Sequence, residues 1–88
     1  MKPIVRHKVF EKHFSSRIAS SPRLTKQFKQ RLDMFNEGVR GYPLNDHHLK
    51  GGKYPYRAFS IANYIRVVYY ETDEYYVFLD IGTHNQVY

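Results

Sequence analysis

Residues 56–81 read YRAFSIANYIRVVYYETDEYYVFLDI, and this stretch decides the fold. It holds three runs rich in Tyr, Phe, Ile and Val, the residue types that suit a pleated, half-buried surface. They run from Tyr56 to Ile61, from Tyr64 to Tyr70 and from Tyr75 to Ile81. The breaks between them, Ala62-Asn63 and Glu71-Thr72-Asp73-Glu74, are turn-sized and polar. The runs are therefore expected to form an antiparallel meander. In the middle run, alternation separates Tyr64, Arg66, Val68 and Tyr70 from Ile65, Val67 and Tyr69. Arg66 stands out, because a lone guanidinium in an apolar and aromatic strand must reach water or an anion. An acid of the protein, such as Asp80 or Glu71, fits that need, and so does a phosphate.

Upstream of the meander the period changes to that of a helix. Phe10, Phe14 and Ile18 recur at four-residue steps. Ser20-Ser21-Pro22 then signals a restart, with Ser21 as N-cap and Pro22 in the first turn. Leu24, Phe28, Leu32, Phe35 and Val39 make the apolar stripe of a second helix, which Gly38 and Gly41 end. The short connection predicts an antiparallel helical hairpin whose two stripes are core. Pro3 to Val9 reads as a short edge strand, and Tyr42 to Tyr54 as a loop. The fold class is α+β: an N-terminal strand, a two-helix hairpin, then a three-stranded meander packed on the helices. Residues 1–88 make one domain, and the sheet face away from the helices is left for a concave site.

Charge points to a polyanion or an acidic partner. The formal net charge is +6. All fourteen Lys and Arg lie within residues 1–66 together with four of the eight acids; residues 67–88 carry the other four acids and no Lys or Arg. A solvated basic surface accounts for this as well as nucleic-acid or acidic-protein binding does. There is no cysteine, so no disulfide framework and no thiolate zinc site is expected. The first residues lack the apolar stretch of a signal peptide, and no run reaches membrane-spanning length. A cytoplasmic protein without membrane contact is the expectation.

Two histidine positions carry the candidate chemistry. His47-His48 precede Leu49-Lys50-Gly51-Gly52-Lys53, and His84 follows the third strand, which is expected to break at Gly82. If they converge, one imidazole can act as base and another group as acid. Lys50, Lys53, Arg57 and Arg66 would surround them with positive charge, and Tyr88 adds a ring and a hydroxyl. That set suits RNA cleavage. The ribose 2′-hydroxyl is itself the nucleophile, so the protein supplies a base for its proton, an acid for the leaving 5′ oxygen, and cations for the charge on phosphorus. By residue type alone the signal is weak, because surface histidines of small proteins are far more often inert than catalytic. Metal binding is the rival use, but no His-x-x-x-His pair lies on a helix and acids near the histidines are few, so no metal and no cofactor is expected. Lys50-Gly51-Gly52-Lys53 lacks the spacing and the following helix of a nucleotide-binding loop.

The order of elements, with Leu49-Lys50-Gly51, Tyr56-Arg57, Ile65-Arg66-Val67-Val68-Tyr69 and the terminal Gly82-Thr83-His84-Asn85-Gln86-Val87-Tyr88, resembles the RelE/ParE superfamily of bacterial type II toxins. Within that group the chain is most similar to YafQ-type and RelE-type mRNA interferases. The resemblance covers the whole chain, residue by residue over 44–88 and in architecture over 1–43. It implies a small basic toxin that cleaves mRNA, usually in the ribosomal A site. It also implies inhibition by a cognate antitoxin, in a hetero-oligomer that can bind operator DNA through the antitoxin.

By that resemblance His47, in His47-His48-Leu49-Lys50-Gly51, and His84, in Gly82-Thr83-His84, match catalytic histidines of the YafQ type. Tyr88 matches a terminal aromatic that positions substrate, and Arg66 a strand arginine that acts on the scissile phosphate. Lys50, Lys53 and Arg57 are the expected phosphate contacts. Ser60 stands where the YafQ type has another functional histidine, and Tyr64 and Ile65 where it has an Asp-Trp pair. ParE-type relatives share the architecture but poison DNA gyrase without nuclease chemistry, which is the alternative reading. An inactive remnant that only binds antitoxin is a third.

Overall fold

The computed structural model describes residues 2–50 and 55–88. Along the chain lie β1 (Ile4–Arg6), α1 (Lys8–Arg17), α2 (Pro22–Asn36), β2 (His47–His48), β3 (Arg57–Ala62), β4 (Ile65–Glu71), β5 (Tyr76–Thr83) and the single turn α3 (His84–Val87). The strands form one sheet in the order β1-β5-β4-β3-β2. The expected meander is its centre: β3 to β5 pair antiparallel, while β1 joins the far edge parallel to β5. No helix among the described residues is long and apolar enough to cross a membrane.

Local chemistry starts and stops the helices where the sequence indicates. Ser21 Oγ accepts from the Leu24 N–H at 3.2 Å, and Pro22 occupies the first turn of α2. Beyond its end Gly38 takes φ +91°, a conformation that disfavours side chains. Three boundaries differ from expectation. The first strand is shorter than Pro3 to Val9, because α1 begins at Lys8, with His7 Nδ1 accepting from the Val9 N–H at 3.1 Å. The loop from Tyr42 onward contains β2, which pairs His47 with Ala58 and His48 with Arg57. The last strand does not break at Gly82: Gly82 and Thr83 pair with Arg66 and Ile65, so the ladder holds up to His84.

The core lies between the helices and one sheet face. Phe35 sits at its centre, its ring 4.8 Å from Phe59, 4.9 Å from Tyr76 and 5.1 Å from Tyr69. Phe10 closes the α1 end, packed against Phe78 on one side and Phe28 on the other. Full burial of such a ring is worth roughly 1.5–3 kcal/mol, and edge-to-face pairs add to it.

One irregularity sets the open face. Val68 pairs with Asp80 but Tyr69 pairs with Phe78, so Leu79 is an extra residue in β5. Residues three apart in a regular strand face opposite ways. The bulge lets both Phe78 and Ile81 enter the core. Gly82 therefore lies across from Arg66, on the face turned away from the helices.

Candidate active site

Arg66 is on β4, the central strand of the five, between β3 and β5. Its cross-strand partners are Ser60 and Gly82, two small residues that leave room above the ladder for a guanidinium. The acids that could have neutralised it are engaged elsewhere. Glu71 pairs with Lys2, while Asp80 takes His13 Nδ1 at 2.6 Å and Arg17 at 3.5 Å. Among the described residues Arg66 makes no ion pair.

Gly82 is glycine because of crowding. A Cβ there would sit 2.6 Å from an Arg17 guanidinium nitrogen and 2.6 Å from Gln86 Oε1. Both atoms are occupied. Arg17 donates to the Ile81 carbonyl at 2.9 Å, and Gln86 Oε1 accepts the Thr83 N–H at 2.8 Å. The second bond caps α3 and turns the chain back over the sheet. The turn spaces His84 and Tyr88 four residues apart, on one face of the helix, with ring centroids 4.4 Å apart in an edge-to-face contact.

His47 arrives from β2, the edge strand on the other side of β4 from β5. Asn45, at φ +49°, directs its carbonyl at His47 Nδ1, 2.9 Å away. A carbonyl only accepts, so the proton is on Nδ1 and the neutral ring keeps its lone pair on Nε2. The preceding residue, Asp46, anchors this segment. Its carboxylate is fully buried; it takes Arg57 Nε and a second guanidinium nitrogen at 2.6 Å each, and the Tyr69 hydroxyl donates to it. Burial, then the adjoining carboxylate, pushes the Tyr69 hydroxyl well above the ordinary tyrosine range. Arg57 also donates to His48 Nε2 at 2.7 Å.

These elements enclose an open pocket of about 490 Å³ lined by His47, His48, Leu49, Lys50, Arg66, His84 and Tyr88. Five sequence-indicated residues thus converge: His47, Lys50, Arg66, His84 and Tyr88. Arg57 does not join them. Its guanidinium is spent on Asp46 and His48, and it lines a neighbouring depression with Glu71 and Asp73. Lys53 lies outside the described residues, as does Gly51 of the loop motif. The sequence reading missed Asp46 and Tyr69 as anchors; the only signal was an acid directly before the paired histidines. Of the positions where the resemblance departs, Ser60 flanks Arg66, Tyr64 is exposed at the β3–β4 turn, and Ile65 is buried in the core.

The Tyr88 hydroxyl is buried and has no hydrogen-bond partner among the described residues. Burial pushes it above the ordinary tyrosine range, and the Arg66 charge opposes the shift. An unpartnered hydroxyl beside a cation that makes no ion pair among the described residues is a pair of groups chemically suited to an anionic oxygen. Among the described residues no three His, Cys, Asp or Glu side chains are grouped to hold a metal ion.

The architecture is that of the RelE-like toxins. A copper-bound mutant toxin from Helicobacter pylori matches it over 100% of both chains, with a TM-score of 0.84 at 22% identity. YafQ in the DinJ–YafQ toxin–antitoxin complex of E. coli matches 99% of this chain and 97% of its own, with a TM-score of 0.78 at 19% identity. YoeB from Staphylococcus aureus, solved as a dimer, covers 94% of this chain and 97% of its own, with a TM-score of 0.76 at 15% identity. No protein-family model matches the chain, and no curated protein does.

Proposed function

We propose that this protein is the toxin of a type II toxin–antitoxin system and acts as a ribosome-dependent mRNA endoribonuclease. The observation that carries this reading is the convergence of His47, from edge strand β2, and His84, from the turn after β5, beside Arg66 and Lys50. The fold it shares with YafQ, which is bound to its antitoxin DinJ in E. coli, supports both the toxin role and a cognate antitoxin as partner.

Cleavage proceeds through the ribose 2′-hydroxyl. One imidazole removes its proton, O2′ bonds to phosphorus, and the P–O5′ bond breaks as an acid protonates the departing O5′. The products are a 2′,3′-cyclic phosphate and a 5′-hydroxyl. The lone pair left on His47 Nε2 suits it to receive a proton. Arg66 and Lys50 stabilise the charge gathered on the phosphoryl oxygens. Tyr88 orients the substrate through its ring and hydroxyl, and His84 supplies the second proton-transfer group.

The test is primer-extension mapping of mRNA ends after induction of wild type and of His84→Ala. Cuts in register with codons are expected from wild type, with cleavage lower by roughly 10²–10⁴-fold in the variant. Equal cleavage by both removes His84 from the mechanism. Intact mRNA with accumulated gyrase–DNA cleavage complexes would replace the nuclease by a gyrase poison.

A further inference from the structure

We propose that a single-stranded RNA runs on from the scissile phosphate along a basic track that leads from Arg66 over the β3–β4 turn to the first turns of α2, gripped by Arg31 and Arg23 and stacked on Tyr64. The inference rests on the nuclease reading and extends it from one phosphate to the flanking nucleotides.

The track is continuous because adjoining depressions share walls. Arg66 lines both the histidine pocket and a second depression that contains Arg31, Tyr42 and Asn63. Arg31 and Asn63 in turn line a third, with Arg23, Gln27 and Tyr64. Among the described residues no Asp or Glu lines any of the three. The depression around Lys2 and Arg57 instead carries Glu71 and Asp73. The positive charge is therefore organised into a direction rather than spread as an even coat, which is how a protein follows a phosphate backbone.

The gripping groups are preset. Arg31 donates from one nitrogen to the Pro43 carbonyl at 3.1 Å and to the Ser60 carbonyl at 3.2 Å. Those bonds fix the guanidinium at the rim without neutralising it, and it makes no ion pair among the described residues. Arg23 is exposed and likewise without an ion pair among them. Tyr64 is 59% exposed and Tyr42 87% exposed, so ring faces are open along the path. Cations alternating with open rings fit a flexible strand of bases and phosphates. A peptide adding to the sheet would need a free strand edge, and a docked amphipathic helix an apolar groove. Along the track the Ser60 N–H already donates to the Leu44 carbonyl and the Ser60 carbonyl already accepts from Arg31, and the described lining residues are mostly polar.

The test uses fluorescence anisotropy with 2′-O-methyl RNAs, which cannot be cut, of about three and about ten nucleotides, within the length range that single-strand binding surfaces cover. Wild type is compared with the Arg23→Glu/Tyr64→Ala variant. Both positions are exposed, and an acid in the first turn of α2 favours the helix dipole, so the thermal midpoint is expected to hold. The longer RNA is expected to lose roughly tenfold in affinity, with a shallower salt dependence, while the shorter one is unchanged. The track is overturned when both RNAs weaken alike, when neither weakens, or when only an acidic antitoxin-like peptide loses affinity. Failure of wild type to bind the longer RNA overturns the track, while the nuclease reading stands or falls on the cleavage mapping. Wild-type binding with an unaffected variant overturns the track alone.

Discussion

The hydroxyl of Tyr69 donates to the buried carboxylate of Asp46, the residue before His47. Tyr69 has its ring among Phe35, Phe59 and Phe78, so the loop that carries the histidine is tied to the centre of the core. Removing each side of that bond has a different consequence. Tyr69→Phe is expected to cost about 1–2 kcal/mol, because Arg57 still satisfies Asp46. Asp46→Ala leaves the guanidinium and the phenol without their acceptor and is expected to cost about 3 kcal/mol. Urea denaturation measures both. At a temperature where both variants are folded, Asp46→Ala should also cleave RNA more slowly than Tyr69→Phe, because His47 has lost its anchor. Equal rates would mean that the carboxylate holds the fold but not the histidine.

The same contact makes stability depend on alkaline pH. In the unfolded chain tyrosine ionises near pH ~10. In the fold, burial first and Asp46 second hold the proton of Tyr69 to higher pH, and burial does the same for Tyr88. Above pH ~10 the unfolded state therefore binds fewer protons than the folded one, and stability falls as pH rises. Below that pH the contribution is present in full. Urea midpoints measured between pH ~9 and ~11 should fall for wild type and fall less steeply for Tyr69→Phe. A parallel decline in the two proteins would assign the effect to other groups.

The central sheet was legible in the sequence because each strand alternates and each break is turn-sized. Helix α2 was legible from its cap, its proline and its stripe. What could not be read were features set by pairing rather than by local pattern. The bulge at Leu79 arises because Phe78 and Ile81 both gain from entering the core, and nothing in the local sequence declares which residue is to be extruded. The extension of β5 through Gly82 depends on a neighbour strand that continues to Ile65, while glycine by itself argues for a break. His47, Arg66, His84 and Tyr88 were legible as residue types and through the family likeness. Their convergence was not, and neither was the diversion of Arg57 to Asp46, since both depend on the register of β2 against β3.

Gly82 links the sheet to the tail, and replacing it tests that link. In Gly82→Ala the new methyl would meet Arg17 and Gln86 Oε1, both 2.6 Å away. Relief requires Gln86 to leave the Thr83 N–H or Arg17 to leave the Ile81 carbonyl. Overpacking of this kind is expected to cost about 1–3 kcal/mol. The two positions share one space, so Gly82→Ala and Gln86→Ala should be non-additive by more than ~0.5 kcal/mol in a double-mutant cycle. Additive costs would show that Arg17 alone gives way. In that case His84 keeps its place and cleavage survives the glycine substitution.

Tyr88 separates the ring from the hydroxyl as contributors to activity. Its hydroxyl is buried without a partner among the described residues, which costs the free protein stability. Tyr88→Phe removes that unpaired group and keeps the edge-to-face contact with His84. The variant should therefore be as stable as wild type or more so, by up to ~1 kcal/mol. Tyr88→Ala removes the contact as well and should release His84. If the hydroxyl engages a phosphate oxygen together with Arg66, the Phe variant loses cleavage rate while its thermal midpoint stays level or rises. If the ring alone matters, the Phe variant cleaves like wild type and only the Ala variant is slow. Single-turnover rates and thermal midpoints for the two variants distinguish these outcomes. A Phe variant that is less stable than wild type would show that the hydroxyl has a partner in solution.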